Sequence, residues 1–172
     1  SVFFNEKMRD RIFENNRISR ILDDAIANDG IWVAYQPQID VETGEIHGYE
    51  ALMRLKNTKV SPAQFIPIFE KTGFITEVDL YVWEQVCRML ARWKQENRTL
   101  IPISVNVSRA DLYHSDFMDR ILELMDKYDI ESSLLHMEIT ETVYTENQNQ
   151  ILDMVNQMEK LGFKVEMDDF GS

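Results

Sequence analysis

The chain has one cysteine in 172 residues, Cys87, so no disulfide can close within it. Cys87 falls among Val82, Trp83, Val86 and Leu90 at helical spacing and reads as a core thiol rather than a nucleophile. Positive charge is scarce as well. Lysine and arginine number 18 against 30 acids, a formal net charge of −12. That balance argues against a broad surface for DNA or RNA, which needs clustered cations. It leaves room for a small phosphate ligand held through a metal. No apolar run is long enough to span a bilayer, and no basic-plus-apolar leader precedes a small-residue cleavage site. The segment is expected to be cytoplasmic and without membrane contact of its own, although a parent protein could be tethered through other domains. Fixed-period repeats and low-complexity stretches are also missing.

What is present is an ordinary globular composition, 44% hydrophobic and 28% charged, in a length suited to one domain or a piece of one. Residues 3–28 read as a helix, with Ile18, Ile21, Leu22, Ala25 and Ile26 on one face and Asn28-Asp29-Gly30 as its stop. Its charged first half suggests a connector from a preceding domain, giving a division into residues 1–28 and 29–172. Two strands follow, Ile31 to Ile39 and Ile46 to Leu55, joined by a turn too short for anything but antiparallel neighbours. Helices are expected over residues 61–71, 76–97, 115–128 and 147–161, and strands over 101–107, 134–140 and 163–170. Strand and helix alternating through short loops predict a parallel α/β arrangement.

The polar residues inside these strands point to chemistry. Glu50 and Arg54 lie four apart in an apolar run, on one face of a strand, and both must be satisfied by pairing, by a metal or by an anionic ligand. Asn106, Glu138, Asp168 and Asp169 fall toward the C-terminal ends of the later strands, the side on which ligands bind in parallel α/β folds. Taken singly, Asn106 could cap a turn and the two aspartates could form one. Glu138 is harder to explain away, because Leu134, Leu135, Met137 and Ile139 around it read as a central strand. Converging at one level, these acids would repel one another unless a cation neutralised them, and all-oxygen donors favour Mg²⁺ or Mn²⁺ over zinc.

These residues match a known pattern. The chain resembles the EAL-domain family, bacterial phosphodiesterases that linearise cyclic di-GMP. Tyr35-Gln36-Pro37 resembles the family's opening strand, Glu50-Ala51-Leu52-Met53-Arg54 its name-giving motif and Asn106-Val107-Ser108 its asparagine strand. Glu138-Ile139-Thr140-Glu141 and Asp168-Asp169-Phe170-Gly171 match the two motifs that follow, in the family's order and spacing. The resemblance implies a modified TIM barrel whose first strand runs antiparallel. It also implies two divalent ions, the first held by Glu50, Asn106, Glu138 and Asp168 and the second by Asp169. Gln36, Leu52 and Arg54 would contact substrate, and Glu141 would steady a neighbouring loop, with linear pGpG as product.

The family pattern continues for three more strands beyond Ser172, carrying a lysine beside the attacking water and further pocket residues. The chain is therefore read as an incomplete barrel, roughly the N-terminal two-thirds, and residues 1–172 alone are expected to be inactive. A preceding GGDEF or sensory domain is expected, and a homodimer is possible. The alternative reading is a catalytically silent module that binds cyclic di-GMP or signals through it.

Overall fold

A computed structural model describes residues 17–25, 27–56 and 58–168. Residues 17–25 form helix α1, burying Ile18 and Leu22 one turn apart. The first part of the expected connector, residues 1–16, lies outside the described residues, as do Asp169 and the motif residues after it. Asp29, at φ 58°, turns the chain out of α1. Gly30 follows because any Cβ there would come within 2.7–2.9 Å of Ala25.

Strands β1 (Ile31–Ile39) and β2 (Ile46–Leu55) have the bounds expected from sequence. Asp40 makes the turn between them. Its carboxylate accepts the Glu42 and Thr43 amides at 2.8 and 3.2 Å, and its own N–H donates to the Glu45 carbonyl at 2.8 Å. Helix α2 (Pro62–Thr72) starts with proline at its first turn behind a Ser61–Gln64 capping box and ends at Gly73, φ 78°. Helix α3 (Ile75–Gln95) buries Val78, Val82, Val86 and Leu90, the four-residue recurrence of the sequence, together with Trp83 and Cys87. The Cys87 thiol is in the core, and burial pushes its pKa up to about 12.

Then come β3 (Ile103–Asn106), α4 (Arg109–Tyr113), α5 (Phe117–Tyr128), β4 (Leu135–Thr140), α6 (Glu141–Glu146), α7 (Gln148–Lys160) and β5 (Lys164–Asp168). Helices α4 and α6 are additions to the sequence expectation. Each is a short piece started by a hydroxyl, Ser108 accepting from the Asp111 amide and Thr140 from the Val143 amide. Strand β3 is shorter than expected, beginning after Pro102.

The chain divides into two compact units. One holds the described residues up to Trp32 together with Met53–Phe74, and its interior includes Ile18, Leu22, Phe65 and Phe69, with the Phe69 and Phe74 rings 5.4 Å apart. The other holds Val33–Leu52 and everything described from Ile75 onward. The sheet order is β1-β2-β3-β4-β5, with β2 to β5 parallel in succession. This open α/β sheet with a reversed first strand is the incomplete barrel expected from sequence. Along β3 and β4, Ile103, Val105, Leu135, Met137 and Ile139 are at most 1% exposed beneath the helices, whereas His136, Glu138 and Thr140 on the alternate face are only half-buried.

Candidate functional site

The site is built on that alternate face. Strand pairing sets Glu50 beside Ser104, Asn106 beside Glu138, Glu138 beside Glu166, and Thr140 beside Asp168, so all of these share one side of the sheet. In hydrogen-bond register Asn106 and Glu138 are paired, while Glu50 is offset two residues to one side and Asp168 two residues to the other. Stagger between strands of a curving sheet produces such a staircase. The longer glutamate sits on the low step and the shorter aspartate on the high one.

Glu50 and Glu138 interact by a hydrogen bond across the intervening β3, whose small Ser104 pairs with Glu50 and whose Asn106 pairs with Glu138. Burial, then the Glu50 charge, the Glu50 hydrogen bond and the charges of Glu166 and Asp168 push the Glu138 pKa up to about 7. A carboxyl in that position is satisfied by a proton or by a cation. Asn106 ends β3 and is held from both sides. The Trp83 indole N–H donates to its carbonyl at 3.3 Å, and the next amide, Val107, donates to the Glu138 carbonyl at 2.9 Å.

Glu166 and His136 complete the face and were not singled out from sequence. The signal was available in the alternation of Glu166 with Asp168. His136 Nδ1 lies 3.3 Å from Glu166 Oε1, and Lys164 Nζ lies 3.3 Å from the same oxygen. Burial lowers the imidazole pKa, opposed by the charge and hydrogen bond of Glu166.

The remaining sequence candidates are spread more widely. Leu52 is half-buried on β2. Gln36 is exposed on β1. The side chain of Gln38, two residues on, lies over Gly48, 2.9 Å from where a Cβ would be, which puts the even-numbered residues of β1 on the same face as Glu50. Arg54 belongs to the other unit, half-buried, and donates to the Met53 carbonyl at 3.0 Å. Glu141 opens α6 and is exposed. Asp169 lies outside the described residues.

Among the described residues no three acids or imidazoles are drawn into a ready-made ion shell. By donor chemistry the set nevertheless fits a hard divalent cation: oxygen donors only, an amide in register with a carboxyl, and a glutamate, Glu138, whose charge is disfavoured by burial and by neighbouring acids. No helix among the described residues is long and apolar enough to cross a membrane.

Comparison with known proteins bears on this arrangement. A family model described as EAL domain matches residues 19–172. The oxygen sensor protein DosP of Escherichia coli is 32% identical over 173 residues, covering 99% of this chain and 22% of that protein. A cyclic di-GMP phosphodiesterase of Pseudomonas aeruginosa is 34% identical over 147 residues, covering 84% of this chain and 25% of that protein. Among solved structures, the PaMucR phosphodiesterase in complex with c-di-GMP superposes with a TM-score of 0.84 at 27% identity, over 91% of this chain and 64% of that one. The chain spans about a quarter of the length of these curated relatives.

Proposed function

The chain belongs to the EAL domain family, and on that premise we propose that the protein containing it is a metal-dependent phosphodiesterase hydrolysing cyclic di-GMP to linear pGpG. The observation that supports the reading most is the Glu50–Glu138 contact. Two carboxyls are pressed together on an otherwise ordered sheet face, with Asp168 and Glu166 adding to the repulsion, an arrangement with a cost unless it binds something positive. The similarity to named cyclic di-GMP phosphodiesterases supports cyclic di-GMP as the substrate.

In this reading Glu50, Asn106, Glu138 and Asp168 hold one Mg²⁺ or Mn²⁺ ion, and Asp169 belongs to the site of a second. Ions bound there would supply Lewis acidity toward a phosphodiester oxygen and make hydroxide available at neutral pH. The protein's own residues do the rest. Glu138 releases its proton as the site fills, the staircase of donors fixes where the phosphodiester must lie, and Gln36, Leu52 and Arg54 contact the nucleotide. One water is added across one P–O bond of the ring, leaving a 5′-phosphate and a free 3′-hydroxyl. Glu141, at the start of α6, steadies a loop beside the site. Residues 1–28 act as a connector from a preceding GGDEF or sensory domain, the segment works in the cytoplasm, and the protein pairs as a homodimer. Residues 1–172 alone, matching 64% of the PaMucR chain, are expected to hydrolyse little or nothing.

Turnover of cyclic di-GMP by the full-length protein with Mg²⁺ or Mn²⁺, set against Glu50→Ala, tests the proposal. Loss of more than about 100-fold is expected, beyond what removal of a partner behind a metal ligand does. Nucleotide binding without pGpG formation would favour the silent binding module instead.

A further inference from the structure

A second acid pair lies away from the ligand face. Asp79 comes from α3 and Asp111 from α4, and they are 8% and 0% exposed. Their carboxyls are close enough to interact by a hydrogen bond, and one oxygen of each, Asp79 Oδ2 and Asp111 Oδ1, is buried with no donor to satisfy it. Two carboxylates cannot bond to each other without a proton between them, and among the described residues no lysine or arginine is ion-paired with either. The polar groups that do face it are the Ser108 hydroxyl and amide, with the His114 imidazole acting on Asp111. The remaining oxygen of Asp111 accepts the Ser108 N–H at 2.9 Å, while the Ser108 hydroxyl accepts the Asp111 N–H at 3.2 Å. Asp111 is thus the member already solvated as an anion, which leaves Asp79 as the proton's holder.

The position of this pair matters. Asp79 and Trp83 are four apart on α3 and so lie on one stretch of its surface. Trp83 donates to the carbonyl of Asn106, and Asp79 meets the Ser108 end of the same short turn. Between them α3 grips residues 106–108 at two points, and α4 is fastened to the second grip.

We infer that Asp79 and Asp111 share one proton in a buried carboxyl–carboxylate hydrogen bond that pins the β3–α4 turn, and that both are positioning residues for Asn106. The positioning role rests on the metal-dependent reading of the site; the shared proton does not. Two measurements on the full-length protein separate them. The first is melting temperature between pH 5 and pH 8 in the presence of chelator. Burial raises the Asp79 pKa well above 3.8 in the folded state, so the stability it contributes is complete below 3.8 and is lost as pH rises through the raised value. Asp79→Asn keeps a donor with no proton to lose, and its melting temperature is expected to gain on the wild type as pH rises. A difference between the two that does not change with pH, or that moves in favour of the wild type as pH rises, overturns the shared proton.

The second is Mn²⁺ affinity by calorimetry. Asp79→Ala is expected to weaken it about tenfold, and Asp79→Asn to restore it to within about twofold of the wild type. Where Asp79→Ala does not fold, Asp79→Ser takes its place. A destabilised alanine variant with unchanged Mn²⁺ affinity overturns the positioning role. A wild-type protein that binds no Mn²⁺ overturns the metal-dependent reading and the positioning role together, while the melting profile still decides the shared proton.

Discussion

Glu50–Glu138 and Asp79–Asp111 are built alike and have opposite prospects. Each joins two acids from separate elements of the same unit. The first stands half-buried on the open face of the sheet, with further acids around it, so its proton can exchange for a cation from solution. The second is sealed beneath a turn, one oxygen already committed to a backbone amide, and holds its proton as part of the fold. Access and surrounding charge, rather than the contact itself, decide which acid pair is a binding site and which is a fastening.

The two can be driven apart experimentally. Glu138→Ala is expected to remove more than about 100-fold of turnover while leaving the melting temperature in chelator equal to or above that of the wild type. A large loss of stability would show that Glu138 is a fastening too. Asp111→Ala should behave in the opposite sense. It removes the carboxylate that accepts the Ser108 N–H and leaves the Asp79 hydroxyl without an acceptor, a loss of about 2–3 kcal/mol in urea unfolding.

Acidity sharpens the contrast further. In chelator, Glu138 contributes stability that is complete below 4.5 and lost as pH rises through its folded value of about 7. The wild-type melting temperature should therefore fall between pH 5 and pH 8, and Glu138→Gln should flatten part of that fall. An unchanged slope would remove Glu138 from the account. The smallest effect is expected from Glu166→Gln. It takes away one of the weaker neighbouring charges, so the Glu138 carboxyl, followed by NMR titration, should move down less than it does in Glu50→Gln.

Much of this was written legibly in the chain. Alternation in β1 and β2 and the four-residue recurrence in α3 fixed those elements nearly to the residue, because in each a long run of side chains repeats the same choice of face. Helices α4 and α6 escaped because five or six residues are too few for a period to declare itself; their only marks are the hydroxyl caps Ser108 and Thr140. The acids of the site could be picked out by their apolar surroundings, but the register between their strands could not, since strand stagger is set by the packing of the whole sheet. Asp79 and Asp111 were invisible as a pair. Each is an unremarked acid in a helical stretch, and only the meeting of α3 with α4 puts them together.

The bond from Trp83 to the Asn106 carbonyl gives the protein an optical reporter of its own. Trp83 is 2% exposed, whereas Trp32 is 43% exposed. Its indole touches the backbone of a residue on the ligand face. Blue-edge emission, selected away from the more solvated indoles of exposed Trp32 and half-buried Trp93 and compared with Trp83→Phe, would follow the end of β3 without an added label. A titration of Mg²⁺ or nucleotide could then be read at the strand that answers it.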